Sequence, residues 1–505
     1  MASAIEANAK AKAIASNAIE ETATYLGLKG YSIYKECMDP IDQQKMKDEL
    51  TVRPFMPKSP VQPPTFPVYR ESLNKFYIPR HYGLINYGDP DEIRLPKGDN
   101  ISVPFQGEMR DYQKNIVDIF MQSATKTNKA GICFGGGGLL EVPCGRGKTV
   151  IACKIMSVLK KKALVVVHKS FLADQWIERI SQFLPTARVG RIQGQIIDIE
   201  DKDIVIGMLQ SLSMKEYPET MFSSFGITIV DECHHISSEV FSRSLQKIIT
   251  FYTLGLSATM QRKDGLTKVF KMFLGDIIYH EKREGDDSVL VKAIEFISTD
   301  PDFIETEYDY RGNPAYSTMI SKLCTFNHRS EFILKVLQKE LKEKAGQQVM
   351  ILAHNKNLLE YLYEAIKHRD ISSVGYYVGG MKEAELKKSE TCQVIIATYA
   401  MAAEALDIKT LTTLILATPR TDITQAVGRI LRVKHERPLV IDIMDSHDVF
   451  KQQWQKRKKF YIANNYTVKQ TNSNLYALDQ WDTPANKKSS GKQGDELKGK
   501  CIIKI

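Results

Sequence analysis

One stretch constrains this chain more than any other. Leu139-Leu140-Glu141 is followed by the loop Val142 to Thr149 and then by the helical-looking run Val150-Ile151-Ala152-Cys153-Lys154-Ile155. A strand, a glycine-bearing turn and a helix in direct succession gather a helix N-terminus and several backbone N–H groups around one point, an arrangement that cradles phosphate. The loop ends Gly145-Arg146-Gly147-Lys148-Thr149. Pro143, Cys144, Gly145, Arg146 and Gly147 would line the phosphates of a nucleoside triphosphate, Lys148 would reach the β- and γ-oxygens, and Thr149 would hold Mg²⁺. Val142 stands where the G-x-x-x-x-G-K-[ST] pattern has its first glycine, so a plain glycine-rich turn is the competing reading. The upstream run Gly135-Gly136-Gly137-Gly138 reads as a flexible loop rather than a second cradle.

Such a unit needs a parallel sheet to sit in, and the chain offers one twice. Between about 101 and 297, Ala163 to Val167, Ile204 to Ile206, Ile227 to Val230 and Thr253 to Leu256 read as strands, separated by amphipathic segments such as Phe171 to Phe183. After a turn-rich, acidic interval near Thr299 to Asn313 the rhythm returns, with strands at Val349 to Leu352, Val394 to Ala397, Thr412 to Leu416 and Leu439 to Ile443. The expected organisation is an accessory domain over 1–100, a first α/β lobe over 101–297, a second over 298–466, and a basic, flexible tail over 467–505. The accessory region contains a proline-rich passage from Pro54 to Pro67 and an aromatic and basic stretch from Tyr69.

Composition excludes several classes. With 43% apolar and 26% charged residues the chain reads as soluble and globular, and no apolar run nears the roughly 18 residues that span a bilayer. Glu6, Glu20 and Glu21 set the N-terminal stretch apart from a secretory signal or transit peptide. Eight cysteines without a C-x-x-C pair signal neither a zinc site nor a disulfide framework, and a reducing, intracellular compartment is expected. The net charge of +9 is concentrated: residues 451–505 carry 12 Lys and Arg against 4 acids. That end is either a footprint for a polyanion or a solvated tail.

Asp231-Glu232-Cys233-His234 follows the strand Gly226 to Val230, so both carboxylates leave the C-terminal end of a strand, where α/β sheets bind ligands. Asp231 would hold Mg²⁺ and Glu232 would polarise an attacking water. The ordinary alternative for an Asp-Glu pair is an exposed loop. Far downstream, Arg429 and Arg432 stand three apart on one helix face and can point at one phosphate, with surface salt bridges as the alternative. Thr149 and Arg429 are 280 positions apart, which suggests hydrolysis where two lobes meet.

Taken in order, these segments resemble the superfamily-2 helicases and translocases. Arg110-Asp111-Tyr112-Gln113 is similar to the adenine-reading segment, Val142 to Thr149 to motif I, and Asp231 to His234 to the DExH form of motif II. Ser257-Ala258-Thr259 resembles motif III, Thr398 to Asp407 motif V, and Gln425 to Arg432 motif VI, so the likeness covers about 110 to 460. Gly255 to Lys268, Val427 to Arg432 and the aromatic, basic Phe450 to Tyr466 resemble the branch containing XPB, the phage recombination helicase and the poxvirus late-transcript-release helicase. Gly27 to Ile33 and Thr51 to Phe55 are similar to the poxvirus-type members of large DNA viruses.

The resemblance implies two tandem RecA-like parallel-sheet lobes with an N-terminal accessory domain, using ATP and Mg²⁺. It implies that Gln113 and Asp407 contact the nucleotide, that His234 and Gln425 couple nucleotide state to lobe closure, and that Ser257 and Thr259 relay it. His168, Lys169, Gln210, His354 and Thr398 fall where the family touches the nucleic-acid backbone. Ala402, Ala403 and Ala405 replace glycines common in motif V, which leaves individual contacts there open. The expected activity is an ATP-dependent DNA helicase or translocase in viral transcription or in DNA repair and recombination. DNA is the expected partner, with an RNA polymerase or transcription complex as a further one. An RNA helicase of the same superfamily is one alternative and a non-hydrolysing clamp on nucleic acid or polymerase another.

Overall fold

The computed structural model describes residues 23–54, 62–143, 145–233, 238–260, 267–281, 288–344, 346–404, 408, 410–430 and 437–482. Two compact units, Met1–Arg283 and Glu284–Ile505, divide the chain.

The first unit is built on an eight-stranded sheet in the order Ile196–Ile197, Val189–Gln193, Ile204–Met208, Ala163–Val167, Ile227–Asp231, Tyr252–Ser257, Gly136–Glu141, Ile277–His280. Every neighbouring pair is parallel except the first, which is a hairpin. Ala163–Val167, Ile204–Met208 and Ile227–Asp231 are buried at every residue because helices cover both faces, and that is why they read as continuous β-branched runs. The helix Ser170–Phe183 turns Leu172, Ala173, Trp176 and Ile180 inward, the stripe expected of its amphipathic sequence.

The glycine run is a correction to the sequence reading. It is no loop: Gly136–Glu141 is a strand between Tyr252–Ser257 and Ile277–His280. A Cβ on Gly137 would lie 2.0 Å from the Thr253 carbonyl oxygen, and one on Gly138 would lie 2.6 Å from Ile278 Cγ2. The neighbouring strands close in where side chains are missing, so glycine here serves packing rather than freedom.

The accessory region has its own five-stranded sheet, ordered Arg70–Glu71, Lys75–Ile78, Gly30–Tyr34, Thr24–Gly27, Glu92–Ile93. It does not stand apart as the expected separate domain, because it shares the first unit's core. Tyr31, Ile33, Phe76 and Tyr82 join one apolar cluster with Val269, Phe270 and Phe273. The buried Arg80 guanidinium donates to the Phe251 and Thr250 carbonyl oxygens at 2.7 and 3.0 Å.

The second unit carries a seven-stranded sheet, parallel throughout, ordered Val374–Tyr377, Val394–Thr398, Gln348–Ala353, Leu411–Leu416, Leu439–Asp445, Leu290–Phe296, Thr467–Asn472. Two expected boundaries move. Leu290–Phe296 belongs to this sheet rather than to the first lobe, and Thr467–Asn472 is its edge strand rather than the start of a tail, paired Leu290 to Thr467. The edge position explains the polar sequence of that strand, in which only Val468 and Thr471 are buried. Residues 483–505 lie outside the described residues. Trp454 and Tyr461 on the helix Asp448–Ala463, and Tyr466 just after it, are buried, so these aromatics pack the unit rather than offer faces to bases. Among the described residues no helix is long and apolar enough to cross a membrane.

Candidate active site

The loop after Gly136–Glu141 turns at Gly145 and Gly147, whose φ values of 83° and 81° only glycine adopts without strain. The helix Lys148–Leu159 starts immediately after, with Gly147 as its N-cap. Its first-turn N–H groups and its dipole therefore face the loop, as the motif requires. Gly147 is required for a second reason, since a Cβ there would meet Gln113 Nε2 at 2.4 Å.

Lys148 Nζ lies 3.0 Å from Glu232 Oε1. Glu232 follows the strand Ile227–Asp231 with φ 48°, an uncommon conformation for a side-chain-bearing residue that turns its carboxylate back toward the phosphate loop. Asp231 is buried beside it, its Oδ2 accepting from Trp176 Nε1 at 2.9 Å and its Oδ1 from the Glu232 backbone N–H at 2.9 Å. Burial, and then the Glu232 charge, push the Asp231 carboxyl above the usual carboxylate range, against the pull of Lys148. Two carboxylates facing one ammonium leave an excess of negative charge, which a divalent cation at Thr149 and Asp231 would relieve. Trp176 carries no local signal of this role: it lies on the apolar face of its helix, and its indole N–H orients the acid.

Ser257 ends a neighbouring strand. Its Oγ donates to the Thr259 carbonyl oxygen at 2.6 Å and accepts from the Thr259 N–H at 3.2 Å. The next N–H, of Met260, donates to Glu141 Oε1 at 3.1 Å, and the other oxygen of Glu141 stands 2.9 Å from His280 Nδ1. Ser257, Thr259 and the base of the phosphate loop are thus physically linked through Glu141, which the sequence reading did not single out.

Gln113 is 6% exposed, and its amide serves the protein itself. Nε2 donates to the Arg146 carbonyl oxygen at 3.1 Å, and Oε1 accepts from the Arg110 N–H at 3.1 Å. The candidate nucleic-acid residues of this unit, His168, Lys169 and Gln210, follow the adjacent strands Ala163–Val167 and Ile204–Met208 at the same C-terminal end of the sheet's strands as Asp231. Partial burial holds the Lys169 ammonium below its usual range. In the second unit, Ala353 pairs with Thr398, which brings His354 and Thr398 together at the C-terminal ends of two adjacent strands. His354 Nδ1 is 2.9 Å from Thr418 Oγ1. Gln425 and Arg429 lie on the helix Thr424–Ile430, though their side chains are outside the described residues. Cys144, His234, Asp407 and Arg432 lie outside them entirely.

Comparison with known proteins agrees with this construction. Residues 106–262 match the family described as Type III restriction enzyme, res subunit, and residues 332–434 match the Helicase conserved C-terminal domain. The chain is 36% identical over 456 residues to a protein of Acanthamoeba polyphaga mimivirus named "Putative ATP-dependent RNA helicase", covering 87% of this chain and 85% of that one. A protein with that same descriptive name from an African swine fever virus isolate is 28% identical over 383 residues, or 71% and 73% of the two chains. The DNA 3'-5' translocase XPB2 of Sulfurisphaera tokodaii is 32% identical over 198 residues, 38% of this chain and 41% of that one. Among solved structures, S. cerevisiae Dbp5 bound to RNA and ADP BeF3 shares the fold with a TM-score of 0.50 at 12% identity, covering 72% and 91%.

The chain belongs to the superfamily-2 helicases, with two RecA-like parallel-sheet lobes. Its relatives within that superfamily are helicases of large DNA viruses and an XPB translocase, and it is itself an ATP-dependent helicase.

Proposed function

We propose that this helicase is a nucleic-acid-stimulated ATPase that moves on DNA, duplex or branched, in viral transcript release or in DNA repair and recombination, with a polymerase or transcription complex as partner. The observation that carries the reading is the Lys148–Glu232 ion pair beside buried Asp231 at the mouth of the phosphate loop. Lys148 would pass from Glu232 to the β- and γ-phosphate oxygens when ATP arrives, which frees the Glu232 carboxylate to take a proton from the attacking water. Thr149 and Asp231 would hold Mg²⁺. Arg429 and Arg432, from the second unit, would stabilise the transferring phosphoryl group. Different grips of His168, Lys169 and Gln210 and of His354 and Thr398 on the backbone in the ATP-bound and released states would then ratchet the protein along a strand.

The XPB translocase among the relatives favours DNA, whereas the names of the viral relatives favour RNA as a second reading. Steady-state ATP turnover with double-stranded DNA, single-stranded DNA and RNA separates the two. Greatest stimulation by DNA is the expected result. Greatest stimulation by RNA selects the second reading, and turnover unmoved by any of the three sinks the motor.

A further inference from the structure

The turn-rich, acidic interval between the strand Leu290–Phe296 and the helix Tyr316–Thr325 folds into a closed hairpin. Tyr308 and Pro314 form an antiparallel bridge, and the Asp309 N–H donates to the Asn313 carbonyl oxygen at 2.7 Å. Asp309 Oδ1 closes the turn by accepting from the N–H groups of Arg311 and Asn313 at 2.8 and 2.9 Å, and Gly312 takes a left-handed φ of 74°. The base is fastened to the unit: Lys322 Nζ donates to the Glu305 carbonyl oxygen at 2.8 Å, and Tyr316 Oη to the Pro419 carbonyl oxygen at 3.3 Å.

Three apolar side chains stand out on and beside this hairpin: Ile304, Tyr308 and Tyr310 are 52%, 63% and 87% exposed. Tyrosines on a backbone already tied down make good anchors for a protein contact, because little freedom is left to lose on binding. Charge then selects the partner. Within residues 300–314, Asp300, Asp302, Glu305, Glu307 and Asp309 stand against Arg311 alone, so the surface repels phosphate and attracts a cationic, partly apolar chain.

The same unit contains such a chain. Residues 483–505 carry six lysines against two acids, a charge equal and opposite to that of residues 300–314, and they include Leu497, Ile502, Ile503 and Ile505. The segment starts after Asp482, whose backbone pairs with Gln470 on the edge strand of this unit. A chain of its length can span up to about 75 Å, more than the roughly 45 Å width of a compact body of about 200 residues. We propose that residues 483–505 dock on the hairpin 305–315, their lysines meeting its carboxylates and their apolar residues Tyr308 and Tyr310, and that the hairpin thereby withholds this basic segment from nucleic acid. Tethering supplies a high effective concentration, so each contact can be weak. Nucleic acid, with its denser charge, displaces the hairpin, and the segment then adds less to binding than its free charge would.

The test uses the full chain without nucleic acid. Zero-length carbodiimide crosslinking joins a lysine amine to a carboxylate, and is expected to link the lysines of residues 487–504 to Glu305, Glu307 or Asp309 in preference to the other acids of the second unit. Trypsin is expected to cut after those lysines about fivefold faster in Tyr308→Ser/Tyr310→Ser and in Glu305→Gln/Glu307→Gln than in the wild type, because docking no longer protects them. The two double variants remove the apolar and the charged contacts separately, so one remains informative should the other not fold. Links scattered over the acids of the unit, or a cutting rate within about twofold of wild type in either folded variant, overturn the proposal. Links that join isotopically distinct copies in a mixed sample overturn it too, since they would make a second copy the occupant.

Discussion

Arg457 and Asp442 form a buried, two-pronged ion pair at the centre of the second unit. Arg457 Nε donates to Asp442 Oδ2 at 2.7 Å and Nη2 to Oδ1 at 2.9 Å, with side-chain exposures of 1% and 0%. Tyr461 Oη is the third donor to this carboxylate, reaching Oδ2 at 2.9 Å, and Nη1 of Arg457 donates to the Arg420 carbonyl oxygen at 2.8 Å. Arg457 is one of the cations that gave residues 451–505 their basic character, so part of that charge is structural. Arg457→Leu would leave Asp442 buried without its cation and should cost about 3–5 kcal/mol of stability, read from denaturant unfolding of the full chain. Replacing both residues by leucine should cost clearly less, and an equal cost would show that shape rather than charge matters here.

The remaining basic end tests differently. Truncation at Asn472 would remove the close of an edge strand, so the informative cut follows Asp482. Residues 483–505 hold six lysines against two acids. Their removal should weaken nucleic-acid binding at low salt and progressively less as salt rises, since each phosphate contact contributes through counterion release. Titrations that superimpose on the wild type at all salt concentrations would leave this segment as solubilising charge only.

Lys148→Ala should reduce ATP turnover by at least about a hundredfold, because a preorganised cation at the phosphates is lost. Arg429→Ala should lower kcat by about 10³-fold or more while changing nucleotide affinity far less. Parallel losses of turnover and affinity in the second variant would mark Arg429 as a structural ion-pair partner instead.

Gly137→Ala should destabilise the first unit without touching the nucleotide. The added methyl would sit 2.0 Å from the Thr253 carbonyl oxygen at a φ of 147°, so two central strands would have to separate. A loss of about 1–3 kcal/mol is expected from overpacking, measured by thermal or urea unfolding. An unchanged midpoint would mean that the pairing of Gly136–Glu141 with Tyr252–Ser257 is looser than it stands.

Acid should weaken the same unit through His81. Burial, and next the neighbouring Arg80 charge, hold its imidazole down at about 3, against an ordinary value of 6.5. Between those values the unfolded chain binds a proton that the folded one does not, so stability falls as pH drops below 6.5. Unfolding free energies at pH 7 and pH 5, from denaturant titration, should differ by up to about 2 kcal/mol from this group, a difference that His81→Asn should remove. Retention of the full pH dependence in that variant would assign it to other groups.

The chemistry-bearing segments were legible because each couples a local signal to a fixed place on a sheet. Gly145 to Thr149 needs a strand before it and a helix after it, and Asp231-Glu232 needs a strand that ends there; both conditions can be read from a few neighbouring residues. The β-branched strands were legible for a similar reason, since burial on both faces leaves no alternation to hide them. What the chain alone determined, then, is that it carries a phosphate loop, paired acids and paired arginines on two parallel sheets.

Only the tertiary structure decided what depends on neighbours distant in sequence. Four glycines in a row look like a flexible loop until Thr253 and Asp276 are seen closing on them, and Thr467–Asn472 looks like tail until Leu290–Phe296 lies beside it. Trp176 on Asp231, Glu141 on Met260, and Arg146 between Tyr112 and Glu281 are likewise contacts across 55, 119, and 34 and 135 positions of chain. No local propensity encodes such pairs. They exist because packing helices and loops onto one sheet brings particular side chains within hydrogen-bonding reach, and burial then makes those bonds obligatory.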